Sequence, residues 1–534
     1  MPTPDPARAS LCSALLLLLA AGPARAQQGE AEPPAIDSIV IEPQNVFTES
    51  AAARNWLYRT ANSLRFSTNR GVVKRELLFE PGEEFDAARL AETERNLRGL
   101  NIFRSVEVDT VREDGRLLAV VRTQDAWSTL PIFTGRFASD GTITGRIGLT
   151  ERNVGGTGNF LSLAYRKDTD RDGGDFGGLW RRVAGSQIDA GASLDILSDG
   201  NAAGWTVGDP WRSLEDRFFL RLGGATADRR RLQYVALSAS RRDTIRYRQH
   251  LFAQQVSVGF APVASSRRVV RVGATASLRN ERYLLSSETD GPSTVPDSVQ
   301  GDVGLFASFE QPRYRVVGYV DGLNKQDIDL TTGVAVSLRL APSALGYERT
   351  SVGPAISVRG GATRGPLLLR AAIAANGLFN SAGLDSGRVV ASVTGGAITG
   401  SRHATLVHVQ GGVMEGPAPG REFDLGFSAP PRSFEPHAFV GTRALWGTLE
   451  HRWYVLPRIL DQFGAALAGY TDFGGAWYEG QTPRWGAEVG VGIRTSSRLA
   501  PGAESSRIDL GYRLGSGFDG SRIVLSVGTG FVFF

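Results

Sequence analysis

One basic residue and two carboxylates near the C-terminal end have the types and spacing for a buried ion pair. Arg432 lies in a long segment without regular periodicity. Glu450 and Asp472 lie in two later segments, 441–453 and 462–477, in which polar and apolar residues alternate. Period-two alternation is typical of strands and puts both carboxylates on polar faces. A guanidinium that reaches those faces could form a bidentate, partly desolvated ion pair.

Residues suited to covalent or metal chemistry are scarce in this chain. Its five histidines show no metal-ligand spacing, and its one cysteine, Cys12, lies in the N-terminal apolar stretch. Ser433 and His437 are serine–histidine neighbours in sequence, but the chain has no Gly-x-Ser-x-Gly turn of the kind that hydrolases use. We therefore predict that the protein is not an enzyme and has neither a cofactor nor a metal centre.

One acidic motif leaves an alternative open. The run Asp168-Thr-Asp-Arg-Asp172-Gly173 begins like a calcium-binding loop. Such loops carry Glu at their twelfth position, whereas Leu179 stands there in this chain. A polar turn is the favoured interpretation, and calcium binding by Asp168 and Asp172 stays open.

The polar faces belong to strands that continue to the end of the sequence. In the last segment, Ile523, Leu525, Val527, Phe531 and Phe533 lie on one face, and Ser526, Gly528 and Gly530 lie on the other. This alternation puts one face in an apolar medium and the other in a polar one, as in outer-membrane β-barrels.

The number of strands follows from a count of the alternating segments. Between residues 140 and 534 we find about 16 to 19 strand candidates, and those near 174–196 and 353–376 resemble half-strands or loop hairpins. Most single-chain barrels have an even number of strands. The prediction is an all-β transmembrane barrel of about 16 antiparallel strands over residues 127–534.

Composition agrees with a barrel and argues against a helical membrane protein and a nucleic-acid-binding protein. The chain has 534 residues, of which 42% are hydrophobic, and a net charge of +4. No mature segment holds the ~18 uninterrupted apolar residues of a membrane-spanning helix. No stripe of Lys and Arg with interleaved aromatic residues is present, so nucleic acid is not a predicted partner.

The N-terminal residues 1–26 have the features of a secretory signal peptide. Arg8 supplies a positive charge, residues 11–21 are apolar, and residues 24–26 form a small-x-small cleavage site. Gln27 is the predicted mature start, which implies export from the cytoplasm.

Residues 35–126 differ from the rest of the chain. Their pattern predicts a small α+β unit with the order strand, helix, helix, strand, strand. The order and the words "VVKRELLFEPGEEFDAARLAETERNLRGLNIFRSVEVD" resemble the POTRA domain. The stretch 47–70 is longer than in that domain. The resemblance implies one periplasmic domain in front of the barrel.

Three motifs near the C-terminal end follow one another in a characteristic order. They are the loop motif Arg432-Ser433-Phe434, the lumenal Glu450 and the strand motif Tyr470-x-Asp472-x-Gly474. With the POTRA-like unit they resemble the BamA/TamA outer-membrane assembly family, also called the bacterial surface antigen family. That family carries Gly where this chain has Ser433. The resemblance implies that the Arg432 loop folds into the barrel and is pinned to Glu450 and Asp472.

The terminal segment resembles an outer-membrane β-signal, in which a polar residue and a Gly precede two aromatic residues. The matching residues are Ser526, Gly528, Phe531 and Phe533, with Phe534 as one extra residue. The same family implies a weak seam between the first and last strands. We expect the first strand at 142–151, where Gly145 and Gly148 would weaken side-chain pairing across the seam.

The resemblance implies a function without covalent chemistry. The protein is expected in the outer membrane, in contact with the lipid bilayer, inserting or translocating unfolded outer-membrane or secreted client proteins, with periplasmic accessory proteins as candidate partners. A two-partner secretion transporter for one client and a passive channel are the alternatives. A channel predicts a lumen not closed by the Arg432 loop.

Overall fold

A computed structural model describes residues 34–63, 65–137, 143–168, 170–236, 242–285, 299–400, 402–426, 429–459, 462–500, 505–515, 521–529 and 532–534. The predicted signal peptide lies outside the described residues. Within these ranges, no helix is long and apolar enough to cross a membrane.

The chain begins with a small mixed unit. Its helices are α1 (Glu49–Arg54), α2 (Trp56–Ser63), α3 (Arg70–Arg75) and α4 (Ala87–Gly99). Its strands are β1 (Ser38–Gln44), β2 (Phe103–Glu113) and β3 (Arg116–Asp125). The remaining strands are β4 (Thr129–Phe137), β5 (Ile143–Val154), β6 (Asn159–Lys167), β7 (Asp172–Trp180), β8 (Asp189–Leu197), β9 (Gly200–Asp209), β10 (Phe218–Ala236), β11 (Arg242–Ala264), β12 (Val269–Leu285), β13 (Val299–Gln311), β14 (Tyr314–Val317), β15 (Gln326–Asp329), β16 (Thr332–Ala341), β17 (Ser351–Arg364), β18 (Leu367–Asn380), β19 (Gly383–Thr399), β20 (His403–Glu415), β21 (Phe423–Leu425), β22 (Phe439–Gly441), β23 (Arg443–Ile459), β24 (Phe463–Trp477), β25 (Gly486–Ser497), β26 (Ser506–Leu514) and β27 (Ile523–Thr529).

Twenty of these strands form one closed antiparallel barrel. The wall runs from β4 to β13, then through β16 to β20 and β23 to β27, and β27 returns to β4. The hairpins β14–β15 and β21–β22 stand outside this wall. The prediction of about 16 strands is therefore wrong.

Two features caused the undercount. The segments near 174–196 and 353–376, interpreted as half-strands or hairpins, form the full wall strands β7, β8, β17 and β18. The wall also begins with β4, before the stretch in which strands were sought. Pro131 interrupts the strand pattern there, since proline cannot donate a backbone hydrogen bond to a ladder.

The alternation predicted from the sequence separates two surfaces in the wall. In β23, Leu449 and Trp453 point outward and are 45% and 46% exposed. Their neighbours Glu450 and Arg452 are buried in the lumen. Apolar residues can face outward at every second position only because lipid, and not water, surrounds such a wall.

The N-terminal unit has its own core. β3 lies between β1, to which it is parallel, and β2, to which it is antiparallel. Asp86 caps the N-terminus of α4, and its carboxylate accepts a hydrogen bond from the Ala88 N–H at 2.7 Å. The buried residues between sheet and helices include Ile36, Val73, Phe79, Leu97, Ile102 and Val121. Whether this unit acts as a POTRA domain stays a prediction.

Two connections between wall strands fold into the barrel. Residues 312–331, which contain β14 and β15, close the end beside the N-terminal unit, and we call them the plug segment. Residues 416–442, which contain β21 and β22, enter from the opposite end, and we call them the lumenal loop. On the plug segment, Asp327 binds the Arg98 guanidinium of α4 through two hydrogen bonds of 2.8 Å.

Replacement of Leu97 by Ala tests the core of the N-terminal unit. Leu97 is fully buried, so the smaller side chain leaves a cavity and should cost about 2–5 kcal/mol. We expect faster proteolysis within residues 34–126 of the full chain. Val111→Ala is the control, since Val111 is 42% exposed. Equal proteolysis of the two variants would contradict this core.

Candidate lumenal ion-pair site and barrel seam

The lumenal loop is held inside the barrel by an apolar cluster at its base. Phe434 and Phe439 pack with their ring centroids 5.3 Å apart. Phe423, Trp446 and Ala476 complete the cluster between the loop and the wall strands β23 and β24. This packing carries the intervening residues, Arg432 among them, across to the lumenal face of the wall.

Arg432 uses all five of its guanidinium N–H groups. Nε and Nη2 donate to the two carboxylate oxygens of Asp472 at 2.7 and 3.0 Å. Nη1 donates to Glu450 at 3.2 Å and to Asp509 at 3.3 Å. Nη2 also donates to the Thr448 hydroxyl at 3.0 Å. A guanidinium that is only 5% exposed is stable in this position because no donor is left unpaired.

The aromatic ring of Tyr470 packs against the guanidinium of Arg432. The guanidinium carbon of Arg432 lies 4.2 Å from the ring centroid, within the distance of a cation–π contact. Tyr470 therefore acts through its ring, and its buried hydroxyl has no hydrogen-bond partner among the described residues. The tyrosine and Asp472 of the predicted strand motif thus bind one side chain of the loop.

Ser433, which stands in place of the family's glycine, is anchored through its backbone. Its N–H donates to Glu488 at 2.7 Å, and its carbonyl accepts from Arg513 at 2.7 and 2.9 Å. The guanidinium of Arg513 also lies 5.3 Å from the ring centroid of Phe434. A Cβ on Gly511 would stand 2.0 Å from the Ser433 hydroxyl oxygen. The glycine on the wall therefore leaves the space that the serine on the loop requires.

Gly474 of the strand motif is explained by the approach of the loop. A Cβ at this position would lie 2.7 Å from the Pro430 carbonyl oxygen and 2.8 Å from Cδ of Pro431. Only glycine lets the loop backbone lie this close to β24. The motif thus provides the ring of Tyr470, the carboxylate of Asp472 and the space left by Gly474, and all three face the lumenal loop.

Further charged residues of the site were not among those predicted. Arg494 donates to both Glu450 oxygens at 2.7 and 2.9 Å, and Arg452 donates to one of them at 2.7 Å. Asp509 accepts from Arg507 at 2.7 Å and also pairs with Arg494. The alternation in β23, β25 and β26 put these residues on polar faces, so their lumenal position was available from the sequence. Their mutual pairing was not.

In the described part of the chain, the seam closes between β27 and β4 through two residue pairs, Ser526 with Arg136 and Val527 with Gly135. The expectation that residues 142–151 form the first strand is wrong, because β5 occupies that stretch as the second strand of the wall. Gly145 and Gly148 therefore lie one strand away from the seam. A Cβ at either position would lie within 2.5 Å of backbone carbonyl oxygens on β4 or β6, so these glycines permit close strand packing.

The terminal residues differ from a straight closing strand. β27 ends at Thr529, and Phe531 lies outside the described residues. Phe533 was expected on the apolar face of the last strand but lies inside the barrel and is buried. Phe534 lies beside it, at 5.6 Å from the Arg370 guanidinium. Ser526 remains in the strand, where its hydroxyl accepts from Arg507 at 3.0 Å, and Gly528 lies beside the same arginine.

The acidic run at 168–172 forms a turn whose carboxylates already have partners. Asp168 accepts from the backbone N–H groups of Asp170 and Arg171 at 2.8 and 2.7 Å. Asp172 accepts from the Tyr165 hydroxyl at 2.8 Å. In the described part of the chain, no group of three His, Cys, Asp or Glu side chains has the geometry of a metal site.

His437 joins that turn to the lumenal loop. Its Nδ1 lies 2.5 Å from Asp424, and its Nε2 lies 3.2 Å from Asp170. The ring also stacks on Tyr234 at a centroid distance of 4.0 Å. Ser433 is bound instead to Glu488 and Arg513, so the two neighbours in sequence are engaged by different partners.

Comparison with known proteins gives similarity in structure only. No protein-family model and no curated protein sequence matches the chain. CdiB from Acinetobacter baumannii is similar at a TM-score of 0.47 and 12% identity, covering 93% of this chain and 73% of that one. CdiB from Escherichia coli has a TM-score of 0.45 and 13% identity, with 96% and 93% covered. BamA from Haemophilus ducreyi lacking POTRA domains 1-3 has a TM-score of 0.38 and 11% identity, with 92% and 84% covered.

At these identities and TM-scores, the role of the chain has to be argued from its own residues.

Replacement of Arg432 by Lys tests the paired guanidinium. Lysine keeps the charge but cannot bind Asp472 with two parallel hydrogen bonds, so carboxylates stay buried without partners. We expect a loss of about 3–5 kcal/mol, seen as a lower temperature for loss of the heat-modifiable folded band on gels. Arg421→Lys, an exposed arginine of the same loop, is the control. Identical mobility curves for both variants would contradict the role of the ion pair.

The contact of His437 predicts a pH dependence. Burial lowers the pKa of His437, but its bonds to Asp170 and Asp424 outweigh burial and raise the pKa from 6.5 to about 9. Because the folded value is the higher one, the stabilisation is complete below pH 6.5 and is lost as the pH rises through about 9. It amounts to no more than about 3 kcal/mol.

The measurement is the thermal stability of the wild type and of His437→Asn at pH 6 and pH 10. We expect a clear difference at pH 6 and nearly equal stability at pH 10. A difference that grows towards pH 10 would exclude the paired imidazolium.

Proposed function

We propose that this chain is an outer-membrane translocation factor that inserts or exports client proteins through the seam between β27 and β4. The observation that supports this most directly is the short ladder at the seam. Among the described residues, β27 and β4 share two residue pairs, whereas β26 and β27 share seven and β4 and β5 share nine. Since cross-strand pairs stabilise a sheet, the wall should open first at this junction.

An open seam offers unpaired backbone donors and acceptors at the depth of the membrane. Such groups are costly in lipid and are satisfied when another strand pairs with them. An extended client segment can do so by adding a strand to either edge. The site needs no covalent step, and this is why we propose a transport function and not an enzymatic one.

The Arg432 network holds the wall on one side of the seam as a unit. Glu450 lies on β23, Asp472 on β24, Arg494 on β25 and Asp509 on β26, and all four bind Arg432 or one another. Arg507 extends the network to Ser526 on β27. A barrel with this wall braced from inside can part at the β27–β4 seam without disturbing its other strands.

In this proposal, the N-terminal unit receives the client in the periplasm. In its sheet, β2 pairs on one side only, with β3, so its other edge is available for strand addition within the unit. Arg98 and Asp327 fix the unit to the plug segment. Unfolded client proteins, the bilayer and periplasmic accessory proteins are the partners that this arrangement would use.

A passive channel is less well supported. The plug segment and the lumenal loop both lie in the lumen, and both pack on wall residues through buried side chains. Free diffusion of solutes would require their removal. The lumen does not distinguish a general insertion factor from a transporter for one client, so both remain within the proposal.

A reversible lock across the seam tests the proposal. Cysteines at Gly135 and Val527 face each other in the ladder and can form a disulfide. We expect oxidation to reduce the level of client proteins in the outer membrane after depletion of the wild type, and a reductant to restore it. The matched control pair, Leu510→Cys with Leu525→Cys, bridges β26 and β27 and should have no effect.

The outcomes separate the candidates. Client levels that stay normal with a fully oxidised seam would reject translocation through it. If only solute permeability changed, the channel would be the better assignment. Arg432→Glu is a second probe: client levels should fall while the barrel still folds, and Asp472→Arg should restore them in part by reversing the pair.

A further inference from the structure

Two histidines lie on the outward face of the wall, at the end beside the N-terminal unit. His403 is the first residue of β20, and His451 lies on β23. Their neighbours Ala404 and Arg452 are fully buried on the lumenal side, so alternation turns both imidazoles outward. Ala404 packs in the cluster around the plug segment, which identifies the end of the barrel. Both histidines therefore meet the lipid near one boundary of the membrane.

Cross-strand pairing brings four of these outward residues together. His403 pairs with Trp453, and Thr405 pairs with His451. The Thr405 hydroxyl lies 2.9 Å from Nδ1 of His451, and Nε2 of His451 lies 3.4 Å from Nδ1 of His403. The ring of His403 is nearly parallel to that of Trp453, at a centroid distance of 6.0 Å. We call these four residues the histidine cluster.

Trp453 marks the depth of the histidine cluster in the membrane. It is 46% exposed on the outward face, and Phe463, the first residue of β24, is 48% exposed near the same end. Aromatic residues form girdles where the apolar wall of a barrel meets the polar headgroups. The histidine cluster therefore lies at the level of the glycerol and phosphate groups and not in the hydrocarbon.

One ring nitrogen of the histidine cluster has no partner among the described residues. Both nitrogens of His451 are engaged, by Thr405 and by His403, whereas His403 uses only its Nδ1. Nε2 of His403 carries a proton in the imidazolium form, and also in the neutral form in which the Thr405 hydroxyl begins the chain of donors. An unpaired N–H that faces lipid is costly, so an oxygen that accepts from Nε2 would stabilise the cluster.

The surroundings of the histidine cluster are basic. Arg402, the residue before β20, is exposed, and so is Arg458 near the end of β23. Residues 396–410 and 446–459 contain one carboxylate, Glu450, which is buried in the lumen. Both stretches thus supply exposed cations without an exposed carboxylate. An anionic group with several acceptor oxygens fits such a site, and at the headgroup level that group is a phosphate.

We propose that the histidine cluster binds the phosphate of an anionic phospholipid in the membrane leaflet beside the N-terminal unit. Nε2 of His403 donates to a phosphate oxygen, and Trp453 packs along the glycerol and the first methylene groups. His451 and Thr405 are positioning residues, since their chain of hydrogen bonds fixes the ring of His403. The charges of Arg402 and Arg458 favour an anionic headgroup over a zwitterionic one.

This site is separate from the seam. The histidine cluster lies on β20 and β23, whereas the seam lies between β27 and β4. The wall strands β24, β25 and β26 stand between the two places. Lipid binding at the cluster needs no opening of the seam, so the inference goes beyond the proposed transport function and does not depend on it.

Replacement of His403 by Phe tests the site. Phenylalanine keeps a planar ring beside Trp453 but has no nitrogen that could donate. The full-length protein is purified in a non-ionic detergent, and its binding of short-chain phosphatidylglycerol and phosphatidylcholine is measured by native mass spectrometry. We expect the wild type to prefer phosphatidylglycerol. His403→Phe should weaken phosphatidylglycerol binding about tenfold, through loss of a hydrogen bond to a charged group.

His250→Phe is the matched control. His250 lies on β11, where its Nδ1 is 3.5 Å from Asp228, and it is not part of the histidine cluster. Its replacement should leave both lipid affinities unchanged. Equal phosphatidylglycerol affinity in His403→Phe and the wild type, or equal affinity of the wild type for the two lipids, would overturn the proposal.

Inorganic phosphate distinguishes a lipid headgroup from a free anion. Added at the same concentration as phosphatidylglycerol, it should not displace the lipid, because it lacks the glycerol and acyl chains that pack on Trp453. Displacement would assign the site to a free anion and overturn the lipid proposal.

A second variant covers failure of His403→Phe to fold. Thr405→Val keeps a branched side chain but lacks the hydroxyl that orients His451. We expect the preference for phosphatidylglycerol over phosphatidylcholine to fall several-fold while the heat-modifiable folded band persists on gels. A residue with a merely structural role would not change this preference. An unchanged preference in folded Thr405→Val protein would likewise contradict the proposed site.

Discussion

The cation of Arg432 is the constraint on which the closed end of this wall depends. A guanidinium that is withdrawn from water needs a partner for each N–H, and here Asp472, Glu450, Asp509 and Thr448 supply all of them. These acceptors come from three strands, β23, β24 and β26. The lumenal loop must therefore extend into the barrel. The wall strands must also keep a fixed register relative to one another, so that their acceptors all lie within reach of Arg432.

This bracing makes the barrel unequal around its circumference. From β23 to β26, strands are joined by their backbone ladders and by buried ion pairs in the lumen, and Arg507 adds a hydrogen bond to Ser526 on β27. At the next junction the ladder shrinks to two pairs, and β4 carries a proline on the edge that faces the seam. The strands joined by ion pairs separate less easily than the strands at the seam. Opening of the barrel is therefore expected at the junction of β27 and β4.

The sequence anticipated the faces of the strands better than their pairing. Glu450 and Asp472 were correctly assigned to polar faces because alternation is a local property. β4 was missed because Pro131 interrupts its pattern, and the seam was consequently placed one strand too far along the chain. The position of Phe533 inside the barrel was also not predicted. In the sequence, Phe533 alternates with Phe531 and so continues the strand pattern. This local pattern contains no information on Asp321, whose carboxylate binds the Phe533 N–H in the lumen.

By itself, the sequence determined an alternating wall with charged lumenal faces, a small α+β unit before it, and Arg432, Tyr470 and Asp472 as partners within one barrel. These follow from periodicity and from the order of motifs. Only the tertiary structure decided that twenty strands close the wall, that β4 meets β27, and that Asp321 captures Phe533. Closure and capture depend on which distant segments meet in space, and period-two alternation is the same whichever partner a strand finds.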